Sequence, residues 1–412
     1  MLFIYSTLWF FLILILWLPA IIYGLLRGEK LSDRLGIWRN TPHDAVWIHA
    51  SSMGETAQAS KLAQELAKIN FPIILTASTL AGYNRLRKHN LSNCSVHLQP
   101  VDFPPILSHL FKKVEPKMLI ILESDLWLGM LDAAKRSDAK VIVASGRLSE
   151  HSVRWAKILP FYFKALMRRI DKIFVRNEID AKNFALAGAD AEKIEILGDL
   201  KLAHSDTNAN EVKLKKPERW PIIIWGSIRS LEEKLVIDVI EKIIERCPSS
   251  LNIIAPRHPD RFDEVAKVLR EKSLRFTRRS KTKQIPENIP IYLLDTMGEL
   301  ASFYCIADIA VIGGTFADYG GHNPFEATLC GVPVIHGKFT RNNASIFKFL
   351  DDRGVAFRVE SDEIFDKILE LYNDKKYISK IKNIALDTSR QMKDILPRYI
   401  SRIVEEIEGR ND

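Results

Sequence analysis

Apolar runs alternate with helical stretches along this chain, and that alternation leaves few folds open. "AVWIHA" (45–50), "PIILTAST" (72–79), "MLIILES" (118–124), "KVIVASG" (140–146), "KIFVRN" (172–177) and "KIEILGD" (193–199) are short, nearly unbroken apolar segments. Continuous apolar character marks strands covered on both faces, as in a parallel sheet. Between them lie amphipathic stretches such as "ETAQASKLAQELAKI" and "EIDAKNFALAGA". Repeated βα units predict a doubly wound α/β domain. After the polar segment "AHSDTNANEVKLKKPERW" (203–220), a second series begins. It comprises "PIIIWGS" (221–227), "LNIIAPR" (251–257), "PIYLLD" (290–295), "IADIAVIGG" (306–314), "VPVIHG" (332–337) and "GVAFRV" (354–359). The expectation is two Rossmann-like domains in tandem facing a cleft, for which 412 residues suffice.

The N-terminus stands apart. Leu2 to Leu26 carry no charge and match the roughly 20 residues that cross a hydrocarbon core. Arg27, Lys30, Arg34 and Arg39 follow, so the positive-inside rule puts the remainder in the cytoplasm. The expected organisation is a membrane anchor at 1–26, one α/β domain at 27–210 and a second at 211–412. The terminal stretch 378–409 is long enough to cross back onto the first domain. Because of Pro19, shallow insertion into one leaflet is the alternative to a spanning helix. A net charge of +8 suits an anionic membrane surface or anionic ligands. The basic runs "RRSKTK" and "KKPER" lack interleaved aromatics, which argues against a nucleic-acid groove. Cys94, Cys247, Cys305 and Cys330 show no paired spacing, so reduced thiols and no zinc site are expected.

Ligands of open α/β sheets bind beyond the carboxyl ends of strands, and the polar residues cluster there. In "SSMGETAQ" (51–58), Glu55 is either a general base or a partner of the helix dipole. Glu123 ends the strand of "ILESDLW", and Lys201 follows the strand before "GDLKL" ends. Arg257, after Pro256, offers a planar fork for phosphate or carboxylate. "DTMGELASFY" sets Met297, Gly298 and Glu299 at another strand end. "VIGGTFADYGGHNPFEATLCGVPVI" (311–335) carries two glycine pairs, His322, and the start of a helix at Asn323 or Pro324. Glycines allow close backbone approach to a ligand, and a helix N-terminus favours an anion. Asn323-x-x-Glu326 also reads as a capping box, which alone would account for those two residues.

Taken together, "WIHASSMGET", "ILESDLW", "ASGRLS", "RNEIDAKNFALAGA", "GDLKL", "APRHPDRF", "DTMGEL", "VIGGTFADYGGHNPFEA" and "GVPVIHG" resemble the 3-deoxy-D-manno-octulosonic acid (Kdo) transferases of lipopolysaccharide synthesis. The resemblance runs in order over residues 31–345. It implies an inverting GT-B glycosyltransferase that moves Kdo from CMP-Kdo to a lipid A precursor at the cytoplasmic face of the inner membrane, without cofactor or metal. Glu55 is then implied as the base, and Glu123 and Lys201 as stabilisers of the transition state. Pro256, Arg257, Met297, Gly298, Glu299, Asn323, Pro324, Phe325 and Glu326 are implied as the CMP-binding segments. The chain departs from the family pattern at "GSIRSLEE" (226–233), where Thr-His is usual in place of Ile228-Arg229. It departs again at "ESDLWL", where Asp125 and Leu128 replace glutamate and proline. A transferase for another nucleotide sugar, or a non-catalytic membrane-anchored binding protein, would share the fold.

Overall fold

The structure is a computed structural model that describes Thr7 and residues 30–88, 91, 93–203 and 214–409. The expected anchor lies outside the described residues except for Thr7. Among the described residues no helix is long and apolar enough to cross a membrane. The chain divides into two compact units, residues 1–205 with 394–412, and residues 206–393.

The first unit is built on a seven-stranded sheet of order β3-β2-β1-β4-β5-β6-β7. The strands are β1 (Val46–Ala50), β2 (Ile73–Ala77), β3 (Cys94–Leu98), β4 (Met118–Leu122), β5 (Lys140–Gly146), β6 (Lys172–Val175) and β7 (Ile194–Ile196). Every pairing is parallel, with Ile48 beside Leu75 on one side and Ile120 on the other. All residues of β1, β2 and β4 are buried, which is why their sequences are apolar apart from His49 and Thr76, which hydrogen-bond to each other. Helices cover the sheet: Trp47, Leu119 and Val141 pack with Leu107, Phe111 and Leu131 in one core. The final helix, Lys375–Glu408, contributes its last turns to this unit. There the Tyr399 hydroxyl accepts from the Ser145 amide at 3.0 Å and donates to the Gly198 carbonyl at 2.8 Å.

The second unit repeats the plan. Its strands are β8 (Ile222–Ile228), β9 (Leu251–Pro256), β10 (Phe276–Arg278), β11 (Ile291–Leu293), β12 (Ile309–Ile312), β13 (Val334–His336) and β14 (Ala356–Arg358). Their order, β10-β11-β9-β8-β12-β13-β14, is again wholly parallel. One apolar cluster lies on each face, built around Trp225 and Ile254 on one side and Ile224 and Ile253 on the other. Two doubly wound α/β units are thus present, as the alternating pattern of the sequence leads one to expect.

Both sheets hold an outer strand that the apolar pattern does not announce. β3, "CSVHL", is half-buried over its first three residues, and β10, "FTR", is half-buried throughout. An outer strand packs less of its surface, so its sequence need not be apolar at every position.

The cysteines require a correction. Cys305 and Cys330 form a disulfide across a separation of 25 residues, while Cys94 and Cys247 are free. They are the C-terminal caps of the helices Leu300–Tyr304 and Phe325–Leu329, which pack together and bring the two Cα atoms to 4.8 Å. Spacing along the chain carries no trace of a contact made by packing.

Candidate active site

In the first unit the polar strand ends converge. β1 stops at Ala50, and Ser52 caps the helix Met53–Lys68 by accepting from the Glu55 amide. The Glu55 carboxylate turns back, accepting from the Ser51 amide and the Ser52 hydroxyl, each at 2.7 Å. This is a variant of the capping box, in which the carboxylate takes the amide of the residue before the cap, and it leaves Glu55 buried. Burial raises its pKa, the two serine hydrogen bonds oppose the rise, and the charges of Glu123 and Asp125 add to it.

Glu123 follows β4 in the left-handed region, φ +56°, which a non-glycine residue adopts only when its surroundings compel it. Its amide donates to the Ala144 carbonyl, and its own carbonyl accepts from the Arg147 amide. That conformation brings the carboxylate to Lys201 Nζ at 2.6 Å and Gln58 Nε2 at 3.0 Å. A Cβ on Gly54 would stand 3.9 Å from Lys201 Cε, so the lysine lies against the turn that carries Glu55. Glu55, Glu123 and Lys201, far apart in sequence, thus form one group.

Behind them runs a buried polar chain. His49 bridges the Thr76 hydroxyl and Asp125, both at 2.9 Å, and is itself fully buried. Burial pushes the Asp125 carboxyl up, but hydrogen bonds from His49, Trp127 and Ser78 together with the His49 charge outweigh it and hold the pKa low.

The second unit contains a cavity of about 330 Å³, within the size range of small-ligand sites. Pro256, Arg257, Met297, Gly298, Asn323 and Glu326 line it, joined by Ser227, Thr296, Tyr304 and His322. Ser227 sits at φ +57° in a register shift of β8 against β9, a bulge that re-aims the strand end. Gly298 has φ +84° and nothing within 4 Å of where a Cβ would be, so this turn is open towards the cavity.

The remaining glycines have another task. A Cβ on Gly313 would overlap the Ser227 carbonyl oxygen; on Gly320 it would come within 2.6 Å of Asn342, and on Gly321 within 2.9 Å of the Phe339 carbonyl. Gly320 and Gly321 have φ of +87° and +78°. The glycine pairs therefore seat this loop on its neighbours, and the cavity is lined by side chains. Buried Glu232 fastens the same loop, accepting from the amides of Gly314 at 2.7 Å and Phe316 at 2.9 Å.

The capping box, the alternative reading of this turn, does not form. The helix starts at Phe325 with Pro324 as its cap residue, and Asn323 Oδ1 accepts only from the Phe325 amide at 3.0 Å. Among the described residues no hydrogen-bond partner is seen for the Glu326 carboxylate. Burial raises its pKa, with the Arg257 charge acting against the rise. His322 Nε2 is buried without a partner. Burial, then the charges of Arg257, Arg229 and His258, lower the His322 pKa to about 4, so the ring is neutral near pH 7. Arg229 lies 4.3 Å above the Tyr319 ring and 2.7 Å from His258 Nε2. This basic group beside the cavity suits an anion.

Three expected residues do not line the cavity. Pro324 and Phe325 are buried in the wall. Glu299 pairs with Arg279 at 2.6 Å and accepts from Thr296, which braces the Met297-Gly298 turn from behind. No group of three or more histidine, cysteine, aspartate or glutamate side chains suited to a metal ion occurs among the described residues.

The family model described as 3-Deoxy-D-manno-octulosonic-acid transferase (kdotransferase) matches residues 29–204. The 3-deoxy-D-manno-octulosonic acid transferase of Haemophilus influenzae is 30% identical over 389 residues, 90% of each chain. The chain belongs to the Kdo transferase family. It is a glycosyltransferase. The Kdo transferase of Bordetella pertussis is 32% identical over 76% of each chain, and that of Rickettsia prowazekii 26% over 92% of this chain and 83% of its own. A solved structure, the C-terminal CMP-Kdo binding domain of WaaA from Acinetobacter baumannii, is 25% identical over 42% of this chain and 90% of its own, with a TM-score of 0.40.

Within this Kdo transferase, sequence reasoning passed over Ser227, Tyr304 and Thr296 as cavity residues. Tyr304 is fully buried in a helix and reads as core; only its contact with Gly226, where a Cβ would overlap the hydroxyl, ties it to the strand end. Ser227 stood in the quoted "GSIRSLEE", but its bulge is a backbone event that the residue type does not signal.

Proposed function

We propose that this Kdo transferase uses CMP-Kdo as donor and a lipid A precursor as acceptor, with CMP held in the cavity of the second unit. The observation that carries this reading is a pair of groups lining that cavity: half-buried Glu326, whose carboxylate has no hydrogen-bond partner among the described residues, and His322 Nε2, which is buried without one. A carboxylate with two free oxygens can accept both hydroxyls of a ribose. A neutral imidazole and the guanidinium of Arg257 can meet a phosphate.

In the proposed reaction the acceptor hydroxyl loses its proton to Glu55 as its oxygen attacks the anomeric carbon of Kdo. The new C–O bond forms opposite the bond to the phosphate, which breaks, so configuration inverts and CMP departs with the electron pair. A raised pKa makes Glu55 a stronger base than an exposed glutamate. Glu123 fixes the Lys201 ammonium in place, and a preorganised donor of this kind commonly contributes a few kcal/mol to the transition state. Membrane attachment through residues 1–26, with the catalytic units in the cytoplasm at the inner membrane, is part of the same reading.

Purified enzyme is incubated with CMP-Kdo and a tetraacylated lipid A precursor, and products are read by mass spectrometry. A mass increase of whole Kdo residues, with equimolar CMP released, is expected. Release of CMP from another CMP-sugar only, or transfer from a UDP-sugar instead, would overturn the donor assignment.

A further inference from the structure

The second unit holds another arginine beside its cavity, and the proposed contacts to CMP leave it unused. β8 ends at Ile228, and Arg229 follows it. The Ile228 carbonyl accepts from the Arg257 amide at 2.9 Å, which ties together the turns carrying the two arginines. Arg229 Nη1 donates to His258 Nε2 at 2.7 Å. Its guanidinium lies 4.3 Å from the centre of the Tyr319 ring, whose hydroxyl is 3.0 Å from that of Ser230. The Arg229 amide donates to Glu232, the same carboxylate that fastens the loop through Gly314 and Phe316. One face and one nitrogen of the guanidinium thus fix where it stands. Among the described residues no partner is seen for Nε or Nη2, the edge that meets a carboxylate in a planar, two-bonded fork.

The charge here is unanswered. Other arginines of this unit are matched by an acid: Arg261 meets Glu233, Arg278 meets Asp295 and Arg279 meets Glu299, each at 2.6 Å. Neither Arg229 nor Arg257 forms an ion pair among the described residues. Neighbouring cations without a counter-charge repel, and a bound anion relieves the repulsion. The charges of Arg257, Arg229 and His258 all act on His322, which lines the cavity, yet Arg229 is not itself in the wall. Arg229 therefore lies past Arg257, where the part of a nucleotide sugar beyond the phosphate continues.

The chemistry of the donor supplies two anions for these two arginines. Kdo is a 2-ulosonic acid, so its carboxylate is attached to the anomeric carbon, the atom that also bears the phosphate of CMP-Kdo. The two negative charges stand side by side, as do the two turns that carry the arginines.

We infer that Arg229 is a specificity-determining residue of the donor site, its Nε–Nη2 edge taking the carboxylate of the sugar while Arg257 takes the phosphate. This rests on the CMP-Kdo reading above and adds how an acidic sugar is told from a neutral one. A neutral sugar leaves the arginine unpaired, and a site built for a polar group rejects ligands that lack it. Stacking on Tyr319 alone would need the face of the guanidinium and no free edge.

The test uses full-length protein with CMP and with a non-transferable CMP-Kdo analogue, a methylene replacing its bridging oxygen, made as the free acid and as the carboxamide. Affinities are read by calorimetric titration. Wild-type protein should bind the acid about 10-fold more tightly than the carboxamide, the scale of one charge-assisted pair. Arg229→Gln keeps a planar group over Tyr319. It should weaken the acid by about 10-fold and leave CMP and the carboxamide within about twofold of wild type. Arg229→Lys keeps a charge without the fork and should regain part of the loss. In transfer assays the KM for CMP-Kdo should rise with kcat nearly unchanged. Ligands are compared on one variant, so a general loss of stability would show on all of them. Equal losses for acid and carboxamide, or no loss for either, would overturn the inference while CMP binding stands. Wild-type protein that binds no CMP would overturn the donor reading, and this inference with it.

Discussion

Two strand-to-helix turns in this protein carry a glutamate at the same kind of place, and the fold treats them oppositely. At Ser51–Glu55 the carboxylate folds back onto its own helix start and is hydrogen-bonded twice. At His322–Glu326 the carboxylate lines a cavity with no partner among the described residues, next to an unpartnered imidazole. Burial raises the pKa of both. The first turn is internally complete and awaits a proton; the second is incomplete and awaits a ligand. Local sequence left both turns open: Glu55 reads as a general base or a partner of the helix dipole, and Asn323-x-x-Glu326 as part of a ligand-holding turn or as a capping box. A motif states what a turn is able to form, and the cavity wall decides whether it forms.

Substitutions can break this contrast. Glu55→Gln should lower turnover by about 10²-fold or more, the usual scale for a general base. CMP affinity, read by calorimetric titration, should stay unchanged. If turnover survives, Glu55 is a cap alone. Glu326→Gln should act the other way, weakening CMP binding by about 10-fold, or roughly 1.4 kcal/mol, with no loss in melting temperature because no helix cap is removed. Unchanged affinity would remove Glu326 from the nucleotide site.

Two smaller effects sharpen the comparison. Ser52→Ala removes the hydroxyl that caps the helix and holds Glu55, and should cost about 1 kcal/mol of stability in denaturant melts. Turnover should fall far less than in Glu55→Gln. The pH profile supplies the last measure. Glu55 works only when deprotonated, so the acid limb of kcat/KM should lie above the ordinary glutamate value of 4.5. Asp125→Asn removes one of the charges that raise it, and the limb should move to lower pH. A limb that rises or stays fixed would separate Asp125 from the base.

The inner strands were legible because a strand buried on both faces is mostly apolar, its polar residues being admitted only where they find a partner, as His49 and Thr76 do. β1, β2, β4 and most of β8 advertise themselves for that reason. β3 and β10 did not, since an outer position relaxes the demand. The candidate residues were legible as polar groups at strand ends, and most of them do gather in two places. What stayed hidden depends on contacts between distant segments. The glycine pairs looked like a ligand cradle but fit against Ser227, Asn342 and Phe339. Glu299 looked like a ligand group but is bound to Arg279. The bond between Cys305 and Cys330 exists because two short helices end side by side.

Gly321→Val illustrates the same point. At φ +78° and against the Phe339 carbonyl, a branched side chain should destabilise the second unit whether or not CMP is bound. A normal melting temperature with lost CMP affinity would return Gly321 to the ligand.

Because the first unit takes residues 394–412 as well as 1–205, its completion is a matter of time as well as contact. On the ribosome its sheet emerges first, then waits for the whole of the second unit to be made. At typical synthesis rates that interval is on the order of 10–40 s. Until Tyr399 arrives, the Ser145 amide lacks its acceptor and the Gly198 carbonyl its donor, beside the strand end that carries Lys201. The unit begun first therefore waits on the second, and the group around Glu55 and Lys201 gains the support of Tyr399 only after residues 206–393 have been made.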